Sequence, residues 1–387
     1  MKLSFKRITS SGNFIPEIDG LRFIAISSVV LYHLSGFLTA KDVSQYKDTF
    51  NYSILKQLLS HGHLGVPLFF VISGFILGMP FAKFYIGKDK PVSLKKYFLR
   101  RLTRLEPPYI LIMTLLLFGA VYVAKTLPLG SGISSYLSSI IYSHNIIYPG
   151  VLPLLNSPAW SLEIEVQFYI LAPLMAYIIF SIQSSSFRRI SLLCIALLFL
   201  IVNYFNVLPF ICLINFIQYF LIGFLIADLY VSNSIILSKT KFDYLIGLLF
   251  FILIWLFDKE DFKSNSLKFI CELIQLVSIF FLYYYVLFHK IFKLLSFKLI
   301  TNIGGMCYTI YLLHYPIISM FGNPLLKHSF SNYSFVNISI YSIFLLFAIM
   351  SISSIYFLLI ERPCMDKDWY KKILKRGTTA QTLNVPL

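Results

Sequence analysis

The sequence predicts an all-α integral membrane protein of about ten transmembrane helices in one bundle, with the N- and C-termini cytoplasmic. Three observations carry this expectation. The 387 residues are 58% hydrophobic and 13% charged, with a mean hydropathy of +0.77, whereas soluble domains run near a quarter charged. Apolar runs of about 20 residues, the length that crosses a bilayer core, recur along the chain. The basic residues are also unevenly placed. With the N-terminus inside, 24 of the 33 Lys and Arg residues fall on the inner side, 8 fall outside, and Arg22 lies in the first span. That asymmetry is the positive-inside pattern, so the net charge of +16 reports topology and not a nucleic-acid partner.

The spans follow in order. Residues 18–40 form the first, with Asp19 as its N-cap; the run lacks a small-residue cleavage site, so it reads as a retained helix rather than a removed signal peptide. Residues 64–82 form the second and lead into "KFYIGKDKPVSLKKYFLRRLTRLEPPYI". There Pro107 and Pro108 are expected to break a basic amphipathic piece and to open the third span, 108–125. The nearly uncharged stretch 126–158 reads as a re-entrant or interfacial element on the outer face. Spans at 160–182, 190–205, 211–231, 243–257, 267–288, 300–321 and 334–360 complete the bundle. The chain is one domain, 1–387, with a basic cytoplasmic tail at 364–387. Its five cysteines are odd in number and lack metal-type spacing, which argues against both a disulfide framework and a metal site.

Polar residues inside such runs are costly and therefore informative. In "DGLRFIAISSVVLYHLSGF" (19–37), Arg22 and His33 are eleven residues apart, within about 20° of three full helical turns, and so share one face about 16 Å apart along the axis. Arg22 alone suits snorkelling to headgroups and His33 alone suits a neutral hydrogen-bonded core residue. Together they suit a general base, His33, with Arg22 holding an anionic group nearer the inner face. Arg101 and Arg104, three apart on a helix, can grip separate phosphates; a lipid anchor is the plainer reading of the same charges. In "PAWSLEIEVQFYILAP" (158–173), Ser161 and Glu165 share a face while Glu163 points elsewhere. In "MCYTIYLLHYPII" (306–318), Tyr308, Tyr311, His314 and Tyr315 recur at three- and four-residue steps.

In order, "IDGLRFIAISSVVLYH", "GVPLFFVISGF", "RRLTRLEPPY", "WSLEIEVQFY", "YTIYLLHYP" and "ERP" span residues 16–363. This set resembles the acyltransferase-3 family of integral membrane O-acyltransferases. The resemblance implies transfer of an acyl group, usually acetyl, from cytosolic acyl-CoA to a carbohydrate hydroxyl. The family's arginine-x10-histidine element maps to Arg22 and His33, its arginine-x-x-arginine element to Arg101 and Arg104, and its tryptophan-serine-leucine-x-x-glutamate element to Trp160, Ser161 and Glu165. Glu163 and Pro67 depart from the family's usual residues, so no shared role is carried to them.

The site expected on this basis has His33 and Glu165 as catalytic residues, with the carboxylate orienting the imidazole if the fold brings them together. Arg22, Arg101 and Arg104 bind acyl-CoA, and Trp160, Ser161, Tyr311 and His314 bind the second substrate. No permanently bound cofactor is expected; acetyl-CoA is the donor cosubstrate. The expected partners are membrane lipid and a saccharide or glycolipid acceptor such as lipopolysaccharide O-antigen, a surface polysaccharide or a lipid-linked precursor, in the cytoplasmic (inner) membrane of a bacterium. Some relatives carry an added extracytoplasmic hydrolase-like domain; a chain ending soon after its last span is expected to work alone or with a separate partner. Acylation of a small molecule such as a macrolide, a transporter or flippase, and a non-catalytic scaffold are the competing readings. No repeat between halves favours the transporter.

Overall fold

The computed structural model describes residues 5, 7, 14–40, 59–205, 208–366 and 368–369; residues 41–58 and nearly all of the basic tail lie outside these. Every regular element among them is helical. In chain order these are α1 (Pro16–Ala40), α2 (Gly65–Tyr85, entered through a 3-10 turn at His61–Leu64), α3 (Leu94–Phe118, running on to Val123), α4 (Leu129–Ile140), α5 (His144–Ile147) and α6 (Trp160–Phe180). Then come α7 (Ser185–Tyr204), α8 (Ile217–Val231), α9 (Asp243–Leu256), α10 (Asn265–Tyr284, running on to His289), α11 (Lys298–Gly305), α12 (Cys307–Leu325) and α13 (Ser334–Tyr356, running on to Cys364). Seven of them, α1, α2, α3, α6, α7, α10 and α13, are long and apolar enough to cross a membrane, while α8 and α9 are shorter apolar helices. The chain is a multi-pass membrane protein.

Leu115, Phe118, Ile170, Leu174, Ile343 and Phe347 stand exposed, as expected where lipid is the solvent. Inward, the buried side chains form two clusters. One joins α2, α6, α8 and α10; the other joins α1, α3, α12 and α13. Helix α1 supplies Leu21 and Ala25 to the first and Ile26, Val30 and Leu34 to the second, so its polar residues lie along the seam.

Lipid gives helices no hydrophobic reason to associate, so close packing must do it, and small residues allow that. Helix α8 is buried from Ile217 through Leu229. It crosses α2 where Gly74 meets Gly223: a Cβ at Gly74 would lie 2.2 Å from the Phe220 carbonyl oxygen, and one at Gly223 would lie 2.4 Å from that of Val71. At the base of α1, a Cβ on Gly304 would fall 1.7 Å from the Asp19 carbonyl oxygen. That crossing explains why the expected span 300–321 is divided, with α11 turning into α12 at Met306.

Two local expectations are corrected. Asp19 is not an N-cap, because α1 already begins at Pro16 and places Asp19 inside its first turn. Pro107 and Pro108 do not break the chain, since α3 passes through both. A proline removes the hydrogen bond to the carbonyl four residues back, and membrane helices tolerate this when a neighbour takes that carbonyl. Here the freed Thr103 carbonyl accepts from Trp369 Nε1 at 2.9 Å. Nearby, Tyr308 donates to the Leu105 carbonyl at 2.9 Å and Tyr356 to that of Pro108 at 2.6 Å. The arginine pair is therefore part of a long helix locked to α12 and α13.

Candidate active site

His33 meets His314, not Glu165. Helix α1 presents His33 to α12, where His314 is fully buried. His314 Nε2 lies 3.1 Å from His33 Nδ1, with the ring centroids 5.1 Å apart. Each Nδ1 also faces a carbonyl of its own helix, Val29 at 3.0 Å for His33 and Ile310 at 2.9 Å for His314. A carbonyl oxygen only accepts, so both Nδ1 atoms carry hydrogen and the network assigns the tautomers. The single Nδ1–H of His33 is then shared between the Val29 carbonyl and the bare Nε2 of His314, and among the described residues His33 Nε2 keeps an unshared lone pair. Tyr32 and Tyr315 pack edge-on against the His33 ring at 5.0 and 5.3 Å.

A polar track leads from this pair. One turn before His314, Tyr311 donates to the Pro158 carbonyl at 2.5 Å, and its hydroxyl lies 3.2 Å from that of Ser161. Ser161 thereby ties α6 to α12. One turn further along α6, Glu165 accepts from Ser73 of α2 and from Tyr169. The Trp160 ring lies tilted against Phe216, centroids 5.6 Å apart, and the Trp160 carbonyl accepts from Asn145 Nδ2 at 3.0 Å. The structure thus brings Ser161, Tyr311, His314 and His33 into one linked arrangement. Glu165 belongs to its far end and touches Ser73 instead of the imidazole.

At the other end of α1 the guanidinium groups gather. Arg22 Nη1 pairs with Asp19 Oδ1 at 2.6 Å and lies within electrostatic reach of Glu165. Arg101 stacks on Tyr97, 3.8 Å from the ring centroid, beside Tyr169 at 5.5 Å, and donates to the Tyr97 carbonyl at 3.1 Å. Arg104 turns toward the buried Glu361, 3.9 Å away. Glu361 is held by the Thr309 amide at 3.2 Å and hydroxyl at 2.5 Å. The two arginines of the pair therefore have different partners although they share one helix side. Among the described residues no group of three His, Cys, Asp or Glu side chains is placed to hold a metal ion.

Two residues that sequence reasoning left without a role organise the opposite end. Glu163, fully buried, accepts from the backbone amides of His144 at 3.0 Å and Asn145 at 2.9 Å, and so pins the 126–158 stretch, folded as α4 and α5, onto α6. A carboxylate receiving two amide hydrogens is well satisfied in an apolar setting. His63, in the turn before α2, faces Asp258 at 3.0 Å and lies against Tyr32 at 5.3 Å. Burial raises the Asp258 carboxyl, but the hydrogen bond and charge of His63 outweigh it and leave it below its ordinary value. Both were findable only as polar side chains needing partners; the partners lie too far off in sequence to be guessed.

The sequence model of a family described as an acyltransferase domain, Acyl_transf_3, matches residues 15–359. The O-acetyltransferase OatA of Staphylococcus aureus (strain NCTC 8325 / PS 47) is 29% identical over 348 residues, covering 81% of this chain and 52% of that protein. The Peptidoglycan O-acetyltransferase OatA of Listeria monocytogenes is 32% identical over 178 residues, 43% of this chain and 25% of that protein. A putative O-acetyltransferase of S. aureus strain COL is 30% identical over 172 residues, 42% of this chain and 24% of that protein. The chain spans about half the length of the S. aureus OatA that it matches. No solved structure matches the chain. The motif set, the helical frame around the paired histidines and the span of the match agree: the chain belongs to the Acyl_transf_3 acyltransferase family.

Proposed function

We propose that the protein is a membrane O-acetyltransferase that moves an acetyl group from cytosolic acetyl-CoA to a hydroxyl of a cell-envelope polysaccharide or its lipid-linked precursor. The observation that carries this reading is the His33 lone pair. Two carbonyls and His314 fix the ring so that Nε2 is the free base, which is the state needed to take a proton from a hydroxyl near neutral pH. In the reaction the acceptor oxygen attacks the thioester carbonyl carbon while His33 Nε2 takes its proton. The C–S bond then breaks, and the proton passes from the imidazolium to the departing thiolate.

The donor's phosphates fit the arginines at the other end of α1, and its pantetheine arm is long enough to reach along the helix toward His33. This places the Arg101 and Arg104 end in the cytoplasm, in line with the distribution of Lys and Arg. The name of the Listeria relative, a peptidoglycan O-acetyltransferase, supports a saccharide acceptor, and a bacterial cytoplasmic membrane follows from the same reading. Ser161 and Tyr311, joined at the track's midpoint, would contact the acceptor or the acyl carbonyl. Trp160 braces α6 beside them.

The test is transfer of labelled acetyl from acetyl-CoA into the glycan or glycolipid fraction of membranes carrying the protein. His33→Ala should abolish the label. Arg101→Ala/Arg104→Ala should raise the acetyl-CoA requirement about tenfold or more, the loss of one or two charge-assisted contacts. Equal labelling by wild type and both variants at equal expression would remove the catalytic assignment and bring transport forward.

A further inference from the structure

One buried cation lies outside every feature used so far. Arg7 precedes the family match, which begins at residue 15, and it is absent from the motif set. Phe5 packs on the second apolar cluster, and the Arg7 Cβ lies 3.6 Å from where a Cβ on Gly305 would be. The Arg7 side chain is only 11% exposed, yet its nearest acid is poorly placed. Its Nε is 3.8 Å from Asp19 Oδ1, an oxygen already held by Arg22 at 2.6 Å, and makes no hydrogen bond.

The shortfall is shared by its neighbours. Asp19 Oδ2, Arg104 Nε, Glu361 Oε1 and Arg362 Nε are buried and also make no hydrogen bond, and Glu361 Oε1 has only the 3.9 Å ion pair with Arg104. Arg7, Arg22, Arg101 and Arg104 face Asp19, Glu165 and Glu361, which leaves positive charge in excess. Burial, reinforced by Arg22 and Arg104 and opposed by Asp19, pushes Arg7 down to about 9. A guanidinium keeps its proton in proteins, so such a cost is relieved by an arriving anion and not by deprotonation. The orphaned atoms are of two kinds. The guanidinium nitrogens call for phosphate oxygens, and the two carboxylate oxygens call for hydroxyl or amino hydrogens. A phosphorylated nucleoside carries both, its ribose hydroxyl and base amino hydrogens lying beside its phosphates, whereas a phosphodiester group by itself carries only the first.

We propose that Arg7 is a further donor-site residue, binding a phosphate of the nucleotide end of CoA from a segment that precedes the family domain. The inference rests on acyl-CoA as the donor. It differs from the arginine-x-x-arginine expectation in placing part of the nucleotide against the base of α1, beside Asp19 and Glu361, and not only along α3.

The test is calorimetric titration of CoA into the full chain in nanodiscs of zwitterionic lipid, comparing wild type with Arg7→Ala and Arg7→Lys. Acetyl transfer from acetyl-CoA and from S-acetylpantetheine, which lacks the nucleotide, is measured alongside. Arg7→Ala should weaken CoA binding and raise KM for acetyl-CoA about tenfold, with kcat and the S-acetylpantetheine rate unchanged; Arg7→Lys should recover part of the loss. Equal CoA affinity in wild type and Arg7→Ala overturns the assignment and leaves the donor reading standing. An equal proportional loss with both thioesters overturns it as well, by making Arg7 structural. Failure of the wild type to bind CoA overturns both readings together. If phosphatidylglycerol in the disc competes with CoA in wild type but not in Arg7→Ala, the arginine belongs to lipid and the proposal falls.

Discussion

His314 shows how a single side chain can set the hydrogen-bonding state of another. Its Nδ1–H is committed to the Ile310 carbonyl, so its Nε2 can only accept. That acceptor favours the His33 proton on Nδ1 and leaves Nε2 as the nitrogen with the lone pair. His314→Ala should therefore lower kcat by roughly tenfold to a hundredfold, the range for losing a hydrogen bond of about 1.5–3 kcal/mol, while KM for acetyl-CoA stays near the wild-type value. His314→Gln, whose amide oxygen still accepts, should regain part of the rate. A kcat in His314→Ala equal to wild type, or no rescue by glutamine, would make the residue packing alone. At this scale Arg22 and His33 were legible because ionisable groups in an apolar run demand an explanation. His314 was visible only as one polar residue in a tyrosine stripe, since its partner lies 281 positions away. Glu163 and Arg7 had no local signal; a buried carboxylate taking two amides and a buried guanidinium with only a long contact to a carboxylate already held by Arg22 are facts of three dimensions.

Helix existence was legible from apolar length, but helix ends and breaks followed contacts that the sequence does not display. Span 300–321 looked continuous, yet the approach of Gly304 to Asp19 forces a turn at Met306. Pro107 and Pro108 looked like a boundary, yet Trp369, far along the chain, takes the carbonyl freed within α3. Helices α8 and α9 are too short to meet the length of a crossing by themselves, and α8 gains its place by being buried against α2 and α7. The Gly74–Gly223 crossing is the element-scale contact most open to test. A side chain at either position enters the partner's backbone at 2.2–2.4 Å, with no flexible group to yield. Gly223→Val should lower the melting temperature of the detergent-solubilised protein and destabilise it by at least the 1–3 kcal/mol typical of overpacking. Gly36→Val, at a position with open space around it, is the control and should leave stability within about 0.5 kcal/mol. Equal melting of the two variants would mean that α2 and α8 can separate without cost.

Across the whole molecule the site runs along α1 between two chemically distinct ends, one rich in guanidinium groups and the other closed over by α4, α5 and the His63–Asp258 contact. Such a layout serves group transfer between a cytosolic donor and an acceptor approached from the far side only if the arginine end faces the cytoplasm. The exposed Lys90, before α3, and Lys263, between α9 and α10, report on this because the charge distribution puts them on opposite faces. In a background freed of the native cysteines, Lys90→Cys should react with a membrane-impermeant maleimide only in inverted vesicles. Lys263→Cys should react in intact spheroplasts. The reverse pattern would set Arg7, Arg22, Arg101 and Arg104 on the side that lacks acyl-CoA, and the donor reading would fail whatever the His33 geometry. Labelling of both positions from one side would mean that an even number of crossings separates Lys90 from Lys263, not the five of the expected order. One of the short helices α8 and α9 would then lie within the bundle without crossing it. Orientation thus carries mechanistic weight here, because the charges that orient the chain are partly the same charges that the proposed function assigns to the donor.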